Sequence, residues 1–313
     1  MRAYAIDEFG RPGSVRDLPT PEPAEAEVLL RVRAAGVNAF DAVVVNGYAK
    51  DFMEHRFPLI PGLDASGVIE AVGAGVKDHA PGDEVYGVSE KPFQGEGAFA
   101  EFLTTPADAL ARKPSSVDHA GAAALPVAAL TALSAIDATD PREGQAVVVL
   151  GATGGVGSYV TQLAGNRGAR VAAVTRGENA EYARGLGAST VIDYTAGDLA
   201  DLVQATFPDG IDTLIDLVGD GTLVASLAAL VRSGGRAVSA GGAVEESLLE
   251  KFGLQGGPVH RAGLERLGEL ARLVDDGQLR LPQIRSHSLD QAAEALADQA
   301  ARHVRGKLVL EVS

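Results

Sequence analysis

The residues of this chain best suited to chemistry run Val147-Val148-Val149-Leu150-Gly151-Ala152-Thr153-Gly154-Gly155-Val156-Gly157. A glycine turn directly after a buried strand lets backbone N–H groups approach a pyrophosphate with no Cβ in the way. The helix N-terminus that follows adds a partial positive charge for the same group. The spacing is Gly-x-x-Gly-x-x-Gly, with the first glycine displaced from the usual Gly-x-Gly-x-x-Gly fingerprint. The strand–turn–helix context therefore carries the reading. At the end of the next apolar run stands Val174-Thr175-Arg176, where NAD sites place an acidic residue for the ribose hydroxyls. A carboxylate repels a 2′-phosphate, whereas the planar fork of an arginine holds one. Thr175 and Arg176 thus favour NADPH over NADH and speak against S-adenosylmethionine. A structural glycine turn and a solvated surface arginine are the competing readings.

Composition narrows the rest. With no cysteine, disulfides, thiolate nucleophiles, iron–sulfur clusters and cysteine-rich zinc sites are excluded. The six histidines (His55, His79, His119, His260, His287, His303) form no i,i+4 pair and read as loop or surface residues rather than ligands. A formal net charge of −15 opposes nucleic-acid and anionic-membrane partners. Residues 1–8 meet an acidic pair before any apolar stretch, so no signal peptide is expected. Two uncharged stretches, 120–136 and 145–166, are respectively short and glycine-rich, and neither reads as a membrane span. A soluble, cytoplasmic protein is the expectation.

Particular elements must position these groups. The first part shows short strands at 2–6, 28–34, 67–72, 84–88 and 98–103, punctuated by glycine and proline, with one helix at 38–46. Such spacing suggests a small β-barrel or sandwich. After about residue 117 the pattern becomes long alternation. Strands at 146–150, 170–174, 190–192, 213–218 and 236–239 are interleaved with helices at 156–166, 178–186, 199–206 and 222–230, after a helix at 126–138. Apolar strands alternating with helices imply a parallel sheet covered on both faces. From about 281 the chain is mixed again, with a helix at 291–303 and a strand at 307–312. The expected class is α/β, with a doubly wound domain (121–280) inserted into a β-rich one (1–120 and 281–313).

Further motifs follow in order: Ala35-Gly36-Val37-Asn38 with Asp41, Pro61-Gly62-Leu63-Asp64-Ala65-Ser66-Gly67-Val68, Pro81-Gly82-Asp83-Glu84-Val85-Tyr86-Gly87 and Gly97-Ala98-Phe99-Ala100-Glu101-Phe102. Leu130-Thr131-Ala132, Leu186-Gly187-Ala188, Val191-Ile192-Asp193-Tyr194 and Arg305-Gly306-Lys307-Leu308-Val309-Leu310 complete the set. Over its whole length the chain resembles the zinc-independent medium-chain dehydrogenases/reductases of quinone oxidoreductase type. The resemblance implies a GroES-like β-barrel domain plus a Rossmann doubly wound parallel-sheet domain. Zinc-dependent relatives carry Gly-His-Glu where this chain has Gly62-Leu63-Asp64, and a cysteine where Asn38 stands. The implication is no metal, because a catalytic zinc needs three protein ligands.

The resemblance also implies roles. Asn38 and Thr131 would lie near the nicotinamide and its ribose. Val218, Gly219, Ala240, Gly241 and Gly242 would line the dinucleotide at the carboxyl ends of later strands. Tyr194 would sit beside the adenosine phosphate, and Lys307 with Leu308 would close the nicotinamide side. Plainer alternatives are Asn38 as a helix cap and Tyr194 as a packed ring. Where many NADPH-binding relatives have a lysine shortly after position 176, this chain has Glu178. Enoyl-thioester reductases of the family keep a tyrosine at or next to the position of Tyr48, as proton donor or substrate clamp. A phenol with a pKa near 10 stays protonated at neutral pH; a loop tyrosine packed on the barrel is the other reading. The activity implied is NADPH-dependent hydride transfer to a small molecule, a quinone or α,β-unsaturated carbonyl. Enoyl-thioester reduction and a catalytically silent NADPH-binding protein are the alternatives. A homodimer joined at sheet edges is expected, with 252–259 as the candidate edge.

Overall fold

Ala146–Leu150 is apolar without alternation, the pattern of a strand covered on both faces, and all five residues are buried. In the computed structural model, which describes residues 1–301 and 304–312, this strand lies within a six-stranded, all-parallel sheet. Its order is Thr190–Asp193, Arg170–Thr175, Ala146–Leu150, Ile211–Asp216, Val231–Ser239, Gln255–Pro258. Numbered from the first strand, that is 3-2-1-4-5-6, the Rossmann arrangement. Strand order reverses between Ala146–Leu150 and Ile211–Asp216, so the ligand-binding crevice of such a sheet opens beyond Leu150 and Asp216. Val148, Leu150, Val203, Ile211, Leu214 and Leu227 form its core.

The chain divides into two compact units. The Rossmann unit is Ala128–Ala262 with Gln278–Arg280, and the other is Met1–Val127 with Gly263–Gly277 and Leu281–Ser313. The return to the first unit thus starts at Gly263, ahead of the expected 281, because the amphipathic helix Leu267–Asp275 buries Leu267, Leu270 and Val274 there.

The other unit is β-rich. Its main sheet runs Ile284–Ser288, Lys307–Glu311, Glu27–Val37, Asp64–Val72, Glu84–Val88, Leu110–Arg112, with Phe102–Pro106 also paired to Glu27–Val37. Two smaller sheets pair Arg2–Ala5 with Ser14–Asp17 and Glu54–Ile60 with Phe93–Glu96. Ile6, Leu30, Leu59, Ile69, Phe99 and Leu310 lie in its core.

Several boundaries differ from the sequence reading. The strand expected at 213–218 runs Ile211–Asp216, because the Asp216 carboxylate captures the N–H groups of Val218 and Gly219 and ends it. The strand expected at 98–103 is displaced to Phe102–Pro106, residues 98–100 being apolar core held by a bridge from Ala100 to Ala3. The last helix covers Ala292–Ala300, and the end expected for it at His303 lies outside the described residues. Among the described residues, no helix is long and apolar enough to cross a membrane.

Candidate functional site

In the Rossmann unit, Ala146–Leu150 ends at Gly151, whose φ of +73° suits glycine. The turn passes through Ala152 and Thr153 into the helix Gly155–Asn166. Gly154 caps that helix in extended conformation with no side-chain hydrogen bond, leaving first-turn N–H groups for an external acceptor. A Cβ on Gly157 would overlap the Gly151 carbonyl oxygen and come within 2.8 Å of the Ala152 backbone. The helix therefore sits directly on the turn, which is the close approach a pyrophosphate cradle requires. Val156 lies half-buried in its first turn.

At the end of the neighbouring strand, Thr175 is buried and its hydroxyl meets that of Thr153 at 2.7 Å. This pair ties the turn to the second strand rather than facing outward. Arg176 donates from Nε to the Tyr194 hydroxyl at 3.0 Å, and its Nη1 lies 4.0 Å from Glu178. Tyr194 thus braces the guanidinium, and the Arg176 side chain stays 41% exposed. Asp193 secures this corner by accepting the Thr195 N–H and hydroxyl and the Gly177 N–H, which hold its carboxyl below the usual range. A Cβ at Gly177 would lie 2.5 Å from Asp193 Oδ2, so the loop closes only with glycine there.

Beyond the later strands, Asp216 is fully buried. It accepts from Val218 and Gly219 N–H at 2.9 and 3.1 Å and from the Ser239 hydroxyl at 2.6 Å. Ser239 Oγ in turn accepts the N–H groups of Gly241 and Ala243. Gly219 and Gly241 are packed so closely that a Cβ on Gly241 would lie 2.5 Å from Gly219 Cα. One buried carboxylate therefore shapes both loops, with Val218, Ala240, Gly241 and Gly242 exposed on them. Sequence reasoning missed Asp216 and Ser239. An aspartate closing an otherwise buried strand was the available signal.

The β-rich unit holds a buried polar group around Asn38. Asn38 precedes the helix Ala39–Val45 in extended conformation, and the Asp41 carboxylate reaches back to its N–H at 2.7 Å. Strand register does the rest. Leu308 pairs with Val37, so Lys307 falls beside Asn38, and Gly36 pairs with Asp64. A Cβ at Gly36 would come within 2.8 Å of Asp64 Oδ2, so this glycine makes room for the carboxylate. Lys307 Nζ donates to Asn38 Oδ1 at 2.6 Å, Val37 O at 3.0 Å and Asp64 Oδ2 at 3.2 Å. Asn38 Nδ2 donates to Asp64 Oδ2 at 2.9 Å, and Asp64 Oδ1 accepts the Val127 N–H. Burial pushes the Asp41 carboxyl up to about 7, with Asp64 adding to the rise against Lys307 and the N–H groups of Asn38 and Leu63.

The remaining predicted residues are scattered. Thr131 is buried on the helix Pro126–Thr139 of the Rossmann unit. Leu308 is fully buried in the β-rich core, which leaves its backbone alone to face a ligand. Tyr48 is 74% exposed, not packed on the barrel, and Phe52 in the same loop is 87% exposed. Sequence reasoning missed Asp64 as a partner of Asn38 and Lys307, because the three come from segments far apart in the chain.

A family model described as an alcohol dehydrogenase GroES-like domain matches residues 24–115, and one described as a zinc-binding dehydrogenase matches 186–310. The chain is 36% identical to the chloroplastic NADPH-dependent alkenal/one oxidoreductase of Arabidopsis thaliana, over 78% of this chain and 63% of that protein, under two thirds of that relative's length. It is 31% identical to the mitochondrial NAD(P)H oxidoreductase RTN4IP1 of Mus musculus, over 100% of this chain and 89% of that protein. Among solved structures, the quinone oxidoreductase of Coxiella burnetii superposes with a TM-score of 0.90 at 29% identity, covering 100% of this chain and 99% of that one.

Proposed function

Because the chain belongs to the medium-chain dehydrogenase/reductase family, of quinone oxidoreductase type, we propose that it is an NADPH-dependent oxidoreductase acting on a quinone or an α,β-unsaturated carbonyl. The observation that carries the reading is the glycine cradle at Gly151–Gly157 with the Arg176–Tyr194 pair beyond the next strand. The cradle fits a dinucleotide, since the space a Cβ would fill at Gly157 is taken by the turn's own backbone. When bound, NADPH supplies a hydride. In this reading the turn N–H groups of Gly151 to Gly157 hold the pyrophosphate, and Arg176 and Tyr194 form the 2′-phosphate corner, with Thr175 anchoring that corner to the turn through Thr153. Val218, Gly219, Ala240, Gly241 and Gly242 bound the dinucleotide, and Asn38, Thr131, Lys307 and Leu308 serve the nicotinamide end. Reduction of a conjugated acceptor also requires charge to be met on the substrate oxygen. Asn38 and Tyr48 are the donors assigned here, and the exposed rings of Tyr48 and Phe52 suit a flat conjugated molecule.

The donor set does not fit zinc. Leu63 offers no lone pair, and the Asn38 carboxamide is already engaged by Lys307 and Asp64. Zero cysteines also suit a reducing, cytoplasmic setting. The test is NADPH oxidation across a panel of quinones, enones and enoyl thioesters, with and without a strong chelator. Turnover with at least one class, unchanged by chelation, is expected. NADPH binding without oxidation by any acceptor, or activity lost on chelation and restored by zinc, would overturn it.

Arg176→Ala is expected to weaken NADPH binding about tenfold or more, as a charge-assisted contact is worth roughly 1.5–3 kcal/mol, while NADH is barely affected. Titration with both cofactors checks this, and equal losses would make Arg176 structural. A homodimer is also proposed, through the edge strand Gln255–Pro258, which pairs with Val231–Ser239 on one side. A solution mass twice the 32.1 kDa of the chain is expected.

A further inference from the structure

Asn38 is held more firmly than a helix cap requires. Its N–H is taken by Asp41, its Oδ1 faces the Lys307 ammonium and its Nδ2 faces the Asp64 carboxylate. An amide can be turned over at little cost where its neighbours are neutral. Here the flipped amide would set NH2 against an ammonium and a carbonyl oxygen against a carboxylate, so two opposite charges dictate its orientation. Lys307 and Asp64 are themselves almost fully buried, at 3% and 0% exposure. A buried ion pair is a poor source of stability, since desolvation offsets most of its attraction. Capping would be served by a neutral Asn38 alone. What the pair does accomplish is geometric. Lys307 Nζ spends its three protons on Val37 O, Asn38 Oδ1 and Asp64 Oδ2, and Asp64 takes one Nδ2 hydrogen. The second Nδ2 hydrogen has no acceptor among the described residues.

We propose that Lys307 and Asp64 are positioning residues that lock the Asn38 carboxamide so that its second Nδ2 hydrogen is presented to the oxygen of the hydride acceptor. This rests on the oxidoreductase reading above. Lys307 then acts through Asn38 and does not itself touch the ligand, which refines the role the sequence suggested for it. A hydrogen bond that strengthens as the substrate oxygen gains charge acts on kcat more than on KM.

The test is a mutant cycle on the full chain. Lys307→Met with Asp64→Asn removes both charges together and avoids stranding either one. This double variant is expected to lose about tenfold or more in kcat with an enone at saturating NADPH while KM changes less, its NADPH affinity being measured separately by direct titration. Asn38→Ala is expected to lose the same factor, and the triple variant to lose no more than either. Multiplying losses, an unchanged kcat in a folded double variant, or a loss confined to NADPH affinity would overturn the proposal. If the double variant does not fold, Asp64→Asn alone is measured, with the same direction expected and an unchanged kcat overturning it. Failure of the oxidoreductase reading is distinct, because then the wild type itself binds NADPH without oxidising it.

Discussion

Gly157→Ala is expected to weaken NADPH binding by roughly 5- to 100-fold, the equivalent of about 1–3 kcal/mol of overpacking. The new methyl group would overlap the Gly151 carbonyl oxygen and press within 2.8 Å of Ala152 backbone atoms. Neither obstacle is the end of a flexible side chain that can swing away. The strain is relieved only by lifting the helix Gly155–Asn166 from the turn, and that displaces the N–H groups assigned to the pyrophosphate. Gly185→Ala is the matching control, because nothing lies within 4 Å of a Cβ there. Isothermal titration with NADPH, alongside circular dichroism to verify the fold, decides the matter. Wild-type affinity in a folded Gly157→Ala protein would mean that the cradle does not hold the cofactor.

The second large effect is on stability against pH. In the unfolded chain Asp41 titrates near its ordinary value of 3.8, and in the folded chain burial raises it to about 7. Between these values the folded protein retains a proton that the unfolded chain has released. Stability from this group therefore falls as pH rises from about 4 to 7, and is level above that. At about 1.4 kcal/mol per pH unit, the full effect is on the order of 4 kcal/mol. Replacing Asp41 by Asn removes the titration, at the expense of one acceptor for the N–H groups of Asn38 and Leu63. Thermal unfolding between pH 5 and 8 should show a steeper loss of Tm in wild type than in Asp41→Asn. Parallel profiles would show that Asp41 ionises normally in the fold.

Much of the Rossmann half was legible beforehand, since its signals are local. A strand covered on both faces must be continuously apolar, so Ala146–Leu150 could be read without knowing its neighbours. The glycine spacing 151–154–157 and the arginine at 176 are likewise short-range patterns. The β-rich half was read less well. Residues 98–100 are as apolar as a strand, yet they serve as core, and the pairing of Phe102–Pro106 depends on Glu27–Val37 far upstream.

Sequence by itself determined the alternation, the glycine turn and the residue types available for chemistry, because each depends on neighbours a few positions apart. Only the tertiary structure decided which polar groups meet. Asn38, Asp64 and Lys307 are brought together by two antiparallel registers, Val37 with Leu308 and Gly36 with Asp64. Arg176 finds Tyr194, and Asp216 finds Ser239, across parallel strands joined through helices. Register is a property of paired strands, so a single segment carries no record of the residue that will stand opposite it.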